Sequence, residues 1–325
     1  MKYISLKELF FMKPVNDNLE MATRAAWLSY VGGYTQSQVA KKLQVSTAKA
    51  HRLIALAREK HLVKIFIEGE TAECVALEEK ILQSFPLQTC TIAPYLGPDM
   101  SFQATGSAAA RMVYNVIKDI EQQTIGIGKG RSLMAMVENL PRCADKNIRF
   151  VSVSGSLTRK LSANPQDVIH HMLERCGGEG YLLPVPYIAR NLEEKDLMMA
   201  QQSVEQMLDM AKTSSLFIVG IGSLGEDAHI RETGMVDDNT LASLKSAGAI
   251  GDLMGSFIDP DGQAVHHPAN GLSLGLGIED LRDKKVIAIA GGDDKGSACL
   301  AALNTGVITD LILSEVSAKK LISLI

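Results

Sequence analysis

Long apolar runs, paired cysteines and metal-ligand spacings are what this sequence lacks. No stretch approaches the roughly 18 uninterrupted apolar residues that a membrane helix needs, and the polar, mixed-charge N-terminus argues against a secretory signal. Five cysteines (Cys74, Cys90, Cys143, Cys176, Cys299) are dispersed without any C-x-x-C pair. An odd, scattered set argues against a disulfide framework and against a zinc site, and fits reduced thiols in a cytoplasmic protein. The pairs His170-His171 and His266-His267 do not rescue a metal reading, because adjacent residues on a helix point about 100° apart. There is no H-E-x-x-H pattern, so no metal or other cofactor is expected. A Walker loop is absent, as is a full G-x-G-x-x-G with a distal acid, which removes the main support for nucleotide binding.

What is present is a chain of 325 residues, 46% hydrophobic and 22% charged, enough for one large α/β domain and a small one. The net charge of −4 is unevenly spread: residues 1–65 hold eleven Lys/Arg and four Asp/Glu, net +7, and the remainder is acidic. A basic module on an acidic body is the asymmetry expected of a segment that faces a polyanion.

Three short helical patterns fill residues 19–62. LEMATRAAWLSYV (19–31) ends at Gly32-Gly33, TQSQVAKKL (35–43) opens on a capping Thr35 beside Gln36, and STAKAHRLIALAREKH (46–61) is capped by Ser46. Val39, Ala40, Leu43, Val45, Ala50 and Leu53 fit two helices packed across a short turn, with Ala40 allowing close approach. This arrangement exposes the start of the second helix, where Ser46, Thr47, Lys49, His51 and Arg52 can meet phosphates and base edges in a major groove. LVKIFIEG (62–69) alternates as a strand that forms a wing or begins a linker. TAECVALEEKILQSF (71–85) reads as an amphipathic helix joining the two parts or pairing subunits.

Beyond residue 86, apolar runs recur at 90–93, 124–128, 148–153, 181–186, 215–221, 253–258, 286–290 and 307–313, most of them separated by helical patterns. This predicts a doubly wound, mostly parallel sheet, which binds ligands beyond the C-terminal ends of its strands. Gly-rich turns stand at such ends: Gly128-Lys129-Gly130-Arg131-Ser132, Ser154-Gly155-Ser156, Gly220 to Ser223, and Gly291-Gly292-Asp293-Asp294-Lys295-Gly296-Ser297. Backbone N–H groups and helix N-termini there suit an oxygen-rich or anionic ligand. Asp252 lies in a small, apolar context and reads either as a cap or as a carboxylate accepting sugar hydroxyls. Asp259-Pro260-Asp261-Gly262 reads as a turn.

The segment 35–67 resembles the helix-turn-helix of the sorbose-operon regulator family, bacterial sugar-sensing transcription factors. IGIGKGRSL (125–133), LPVP (183–186), IVGIGSL (218–224), GAIGDLMGSFIDPDG (248–262) and IAIAGGDDKGSACLAALNTGVITDLI (287–312) resemble that family's sugar-binding domain in its usual order. The resemblance implies a body akin to sugar-phosphate isomerases, a sugar, polyol or sugar-phosphate effector, and dimers or tetramers that bind palindromic operator DNA. It places the family's effector loop on Gly128, Gly130 and Ser132, its ligand-contacting Asp on Asp252 and its loop lysine on Lys295. Four departures stand out: Lys129 where the family often has Trp or another apolar residue, Ser154-Gly155-Ser156 for a Gly-Gly, Thr47 for a recognition-helix arginine, and Ser314 near the C-terminus for an Asp.

The resulting expectation is a DNA-binding regulator with a helix-turn-helix domain over 1–69, a linker helix over 70–85, and an effector and oligomerisation domain over 86–325. Effector contacts are expected from Gly128, Lys129, Gly130, Arg131, Ser132, Ser154, Gly155, Ser156, Asp252, Gly291, Gly292 and Lys295. An enzymatic alternative, a sugar-phosphate isomerase with Asp252 as general base, lacks a second acid/base group and leaves the basic module unexplained.

Overall fold

Alternation of apolar side chains along short strands determines the architecture of the larger part of the chain. The computed structural model describes residues 17–65, 71–118, 122–143, 147–155, 168–225 and 228–325. The chain divides into two compact units, Met1–Ile65 and Phe66–Ile325.

In the smaller unit, α1 (Asp17–Ala26) continues into a π-helical turn, Trp27–Val31, so the pattern over 19–31 is not one uniform α-helix. Gly33, at φ +66, turns the chain. α2 (Gln36–Leu43) begins with a capping box: the Thr35 hydroxyl accepts the Gln38 N–H, and the Gln38 side chain accepts the Thr35 N–H. Gln44, at φ +54, closes α2, and Ser46 caps α3 (Thr47–Glu59) by accepting the Lys49 N–H. Val39, Ala40, Ala50, Leu53, Ile54 and Ala57 pack with Ala22, Ala25 and Ala26 of α1. Small residues at these contacts let the three helices approach closely. The strand expected over 62–69 is not seen in its described part: 62–65 is irregular, with no neighbouring strand among the described residues of this unit to complete a ladder, and 66–69 lie outside the described residues.

The larger unit opens with α4 (Ala72–Ser84), the segment read as a linker helix. It instead carries Cys74, Leu77 and Ile81 into the main core and lies against the first strand, so apolar burial makes it part of the body. The strands are β1 (Thr89–Ala93), β2 (Gln122–Ile127), β3 (Asn147–Ser152), β4 (Glu179–Tyr181), β5 (Leu216–Ser223), β6 (Gly251–Leu253), β7 (Ser256–Ile258), β8 (Lys285–Ala290) and β9 (Asp310–Ser314). Seven form a parallel path in the order β1-β9-β8-β5-β2-β3-β4, and β6 and β7 extend β5 as an antiparallel hairpin. The strands divide between β2 and β5: the chain runs outward from β2 through β3 to β4, and from β5 through β8 to β9 the other way. That is the topological switch point at which doubly wound sheets form crevices.

Both faces are covered. Ile125, Ile127, Phe150, Ile218, Ile287, Ile289 and Ile312 point to one core, beneath α5 (Ser101–Lys118), α6 (Arg131–Asn139) and α7 (Val168–Cys176). Val151, Phe217, Val219, Ala288, Leu311 and Leu313 point to the other. There α4 is joined by α9 (Gln202–Lys212), α12 (Gly296–Asn304) and α13 (Glu315–Ile322), while α8 (Leu192–Met199) leads into α9. A satellite cluster gathers α10 (His229–Glu232), α11 (Asp238–Ser246) and the hairpin around Phe257 and Met235. Gly106 of α5 lies so close to α6 that a Cβ would come within 2.5 Å of the Ala135 backbone.

Two strand expectations change. The run 253–258 is not one strand but a hairpin, because Met254 (φ +53) and Gly255 (φ +87) form a two-residue turn with both residues at positive φ. The run 181–186 is extended in the ladder only through Tyr181, since Pro184 and Pro186 have no N–H to continue it. The Asp259–Gly262 turn is present, with the Asp259 carboxylate accepting the Asp261 and Gln263 N–H groups. Among the described residues no helix is long and apolar enough to cross a membrane.

Phe217 is fully buried, with its ring filling the space where Gly126 lacks a side chain; a Cβ there would lie 2.4 Å away. Phe217→Ala should therefore reduce stability by about 3–5 kcal/mol, read from urea unfolding at constant protein concentration.

Candidate functional site

A pocket of about 690 Å³, its open mouth included, sits where β2 and β5 part at their C-terminal ends. Its floor is Gly128 and Gly220, backbone that side chains would block: a Cβ on Gly128 would crowd Val219 at 3.3 Å. Lys129, Gly130, Arg131 and Ser132 rise from the β2 end into α6, and Ile221, Gly222 and Ser223 from β5. Gly130, at φ +120, gives the turn that starts α6.

The hairpin brings in Asp252, the one carboxylate among the described lining residues. β6 pairs with β5 so that Asp252 stands opposite Gly222, where a Cβ would lie 2.8 Å from Asp252 Oδ2; glycine leaves room for the carboxylate. Asp252 is 6% exposed. Its oxygens accept the Tyr187 hydroxyl at 3.1 and 3.3 Å and the Gly255 N–H at 2.8 Å. Burial pushes its carboxyl up to about 6, while the Gly255 and Tyr187 hydrogen bonds and the charges of Lys129 and Lys295 act against that rise. The Tyr187 hydroxyl is itself held well above its ordinary range by burial and by Asp252.

Three basic side chains share the pocket with this carboxylate, and two of them, Lys129 and Lys295, act on its charge. Lys129 Nζ lies 3.6 Å from the Tyr187 ring centroid and donates to the Gly155 carbonyl at 2.9 Å. Burial lowers it to about 7, with Asp252 pulling the other way. Lys295 Nζ donates to the Ile221 carbonyl at 3.0 Å and is lowered to about 8, again chiefly by burial. Arg131 stacks over Phe102 at 5.0 Å and has Glu232 at 3.7 Å on its outer side. His229 is pushed down to about 4 by burial and then by Arg131, Lys129 and Lys295, so it is a neutral imidazole at pH 7. The pocket therefore combines hydroxyl-binding groups with a local surplus of positive charge.

Most of the expected effector residues converge here: Gly128, Lys129, Gly130, Arg131, Ser132, Ser154, Asp252 and Lys295 all line the pocket. Gly155 stands behind it, its carbonyl holding Lys129, and a Cβ there would strike the Pro186 carbonyl at 1.9 Å. Gly291 and Gly292 also form supporting structure. Their N–H groups donate to Ser132 Oγ at 2.9 Å and Ser101 Oγ at 3.2 Å, which leaves neither donor for a ligand. Asp293 and Asp294 are exposed, and the helix-cap position belongs to Lys295, without a side-chain cap bond. Ser156 lies outside the described residues.

Sequence reasoning missed Tyr187, His229, Phe102, Met235 and Met254 as lining residues. Tyr187 directly follows the LPVP block, the only available hint. Met254 lies two residues beyond Asp252 in the same hairpin, and Phe102, His229 and Met235 depend on long-range packing. In the smaller unit Thr35, Gln36, Ser46, Thr47, Lys49, His51 and Arg52 are all exposed, and the hydroxyls of Thr35 and Ser46 also cap their helices.

The buried carboxylate gives a pH signature. In the unfolded chain Asp252 titrates near about 3.9, and in the fold near about 6, so the folded state holds the extra proton. Stability from protonated Asp252 is complete below about pH 4 and is lost as pH rises through about 6. Relative to Asp252→Asn, the wild type should lose on the order of 3 kcal/mol across that window, measured by urea unfolding at both ends of it. A difference independent of pH would contradict the buried carboxylate.

A family model for a sugar-binding domain matches residues 70–323. The erythritol catabolism regulatory protein EryD of Brucella abortus is 37% identical over 312 residues, 96% of this chain and 98% of that protein. The deoxyribonucleoside regulator of Bacillus subtilis is 23% identical, over 94% of this chain and 97% of its own length. Among solved structures, the full-length sorbitol operon regulator SorC of Klebsiella pneumoniae superposes with a TM-score of 0.70 at 24% identity, covering 94% of this chain and 99% of that one. These relatives are transcription regulators, not isomerases, and with them the enzymatic alternative falls away. The chain belongs to the sorbose-operon type of transcription regulators, which join a DNA-binding module to a sugar-binding domain.

Proposed function

We propose that this regulator controls a carbohydrate or polyol catabolic operon and responds to a small polyhydroxy compound that carries a phosphate. The observation that carries this reading is the buried Asp252 carboxylate in one pocket with Lys129, Arg131 and Lys295 at the sheet's switch point. Asp252 and Ser154 suit ligand hydroxyls, and the three cations suit a phosphate. The 37% identity to an erythritol catabolism regulator makes four-carbon polyols and their phosphates the first compounds to try.

DNA contact is assigned to Thr35, Gln36, Ser46, Thr47, Lys49, His51 and Arg52. Lysine and arginine neutralise phosphates, while Ser, Thr and His reach base edges. The protein acts in the cytoplasm as a dimer or tetramer on a palindromic operator, and effector binding alters how subunits pair. Such coupling requires different effector affinities in two quaternary states, commonly by about 1–3 kcal/mol. The domain division proposed is a DNA-binding part up to residue 69 and an effector and oligomerisation part beyond it, with α4 built into the latter.

Two measurements test the proposal. Lys49→Ala combined with Arg52→Ala should abolish the operator gel shift, and unchanged binding removes this helix from the interface. Thermal-shift titration of the full chain with erythritol, erythritol phosphate and other sugar phosphates should stabilise it by roughly 2.7 kcal/mol at 100-fold excess over Kd. Asp252→Asn should weaken that response at least about tenfold. Stabilisation by unphosphorylated polyols alone overturns the phosphate assignment.

A further inference from the structure

Two cysteines widely separated in sequence meet away from the effector pocket. Cys143 follows α6, Cys176 is the last residue of α7, and both precede the strands that they lead into, at the opposite end of the sheet from the pocket. The Cys143 N–H donates to the Arg175 carbonyl at 2.9 Å, which fixes the 141–143 segment against the end of α7. The two Sγ atoms are 2.9 Å apart, with the Cys176 thiol directed at Cys143. That separation is less than 1 Å longer than the roughly 2.05 Å of a disulfide bond. Cys176 is fully buried and Cys143 is half-buried, so an oxidant from solvent reaches Cys143 first.

We propose that Cys143 and Cys176 are a reversible redox site, closed to a disulfide by hydroperoxides. The Cys143 thiolate attacks the terminal oxygen of the hydroperoxide. An S–O bond forms, the O–O bond breaks, and the departing alkoxide or hydroxide takes up a proton. Cys176 sulfur then displaces hydroxide from the Cys143 sulfenic acid. Its thiol proton leaves with that hydroxide as water, and the S–S bond forms. Two thiols are oxidised by two electrons, the peroxide is reduced, and a thiol reductant reverses the change.

The other three cysteines do not share this arrangement. Cys74, Cys90 and Cys299 are buried, and burial holds all three thiols above their ordinary range, Cys299 up to about 12. Cys176 is also held as a thiol, first by its contact with Cys143 and then by burial. This fits its place as the resolving partner and not the first nucleophile. In the reducing cytoplasm such a pair remains open until oxidant rises, the behaviour of sensing disulfides more than of structural ones. The cross-link would close the segment 143–176, which contains β3 and the pocket residue Ser154.

The experiment uses the reduced full chain, treated with hydrogen peroxide, then unfolded and alkylated with N-ethylmaleimide before intact-mass analysis. Untreated protein carries five adducts, and treated protein is expected to carry three, with the mass of two hydrogens lost and a peptide map joining Cys143 to Cys176. Dithiothreitol should restore all five. Cys143→Ser, a half-buried position that leaves Cys176 in place, should retain its remaining four adducts under the same treatment. The proposal is overturned if peroxide leaves five adducts, if Cys143 gains oxygens without losing its alkylation partner Cys176, or if the map joins any other pair.

Discussion

A parallel sheet buried on both faces can place polar chemistry only where its strands stop. Every interior position of β5, from Leu216 to Val219, is occupied by an apolar side chain directed to one core or the other. Charged groups that must be both buried and useful are thereby confined to the rim. There a helix N-terminus, a glycine turn and an antiparallel hairpin can satisfy them together. The pocket follows from this constraint. The divergence of β2 and β5 opens a crevice, and β5 runs past its parallel partners to pair with antiparallel β6, which carries Asp252.

Within the pocket the charges are balanced against burial more than against one another. Asp252, Lys129 and Lys295 are each displaced toward neutrality, and each is held by neutral partners: the Tyr187 hydroxyl and Gly255 N–H for the acid, backbone carbonyls of Gly155 and Ile221 for the two lysines. The Gly291-Gly292 turn underlies this without joining it. Ser101, Ser132, Ser314 and Ser317 bind its backbone, so that Lys295, three residues on, is aimed at β5.

Local chemistry made much of this legible in the sequence. The capping residues Thr35 and Ser46, the period of Val39, Ala40, Ala50 and Leu53, and the glycine-rich strand ends each act within a few residues, so reading them requires no tertiary knowledge. Gly128 to Ser132 are legible that way, while Asp252 reads equally as a cap and Lys295 is singled out by the family resemblance. Tyr187 and His229 are not legible, because what puts them in the pocket is packing between segments far apart in sequence. The hairpin at 253–258 was read as one strand since apolar content alone hides a turn whose signal is a single glycine after Met254. The helix 72–84 looked like a connector because its amphipathic pattern shows that one face is buried without showing against what. The 2.9 Å approach of Cys143 and Cys176 is likewise invisible in a spacing of 33 residues.

The π-helical turn after α1 has an optical consequence. It carries Trp27, the single tryptophan of the chain, with 62% of its surface exposed. Indole emission from this protein therefore originates wholly in the smaller unit, while the pocket belongs to the larger one. That emission is a readout of the surroundings of the smaller unit, built into the native chain without a label.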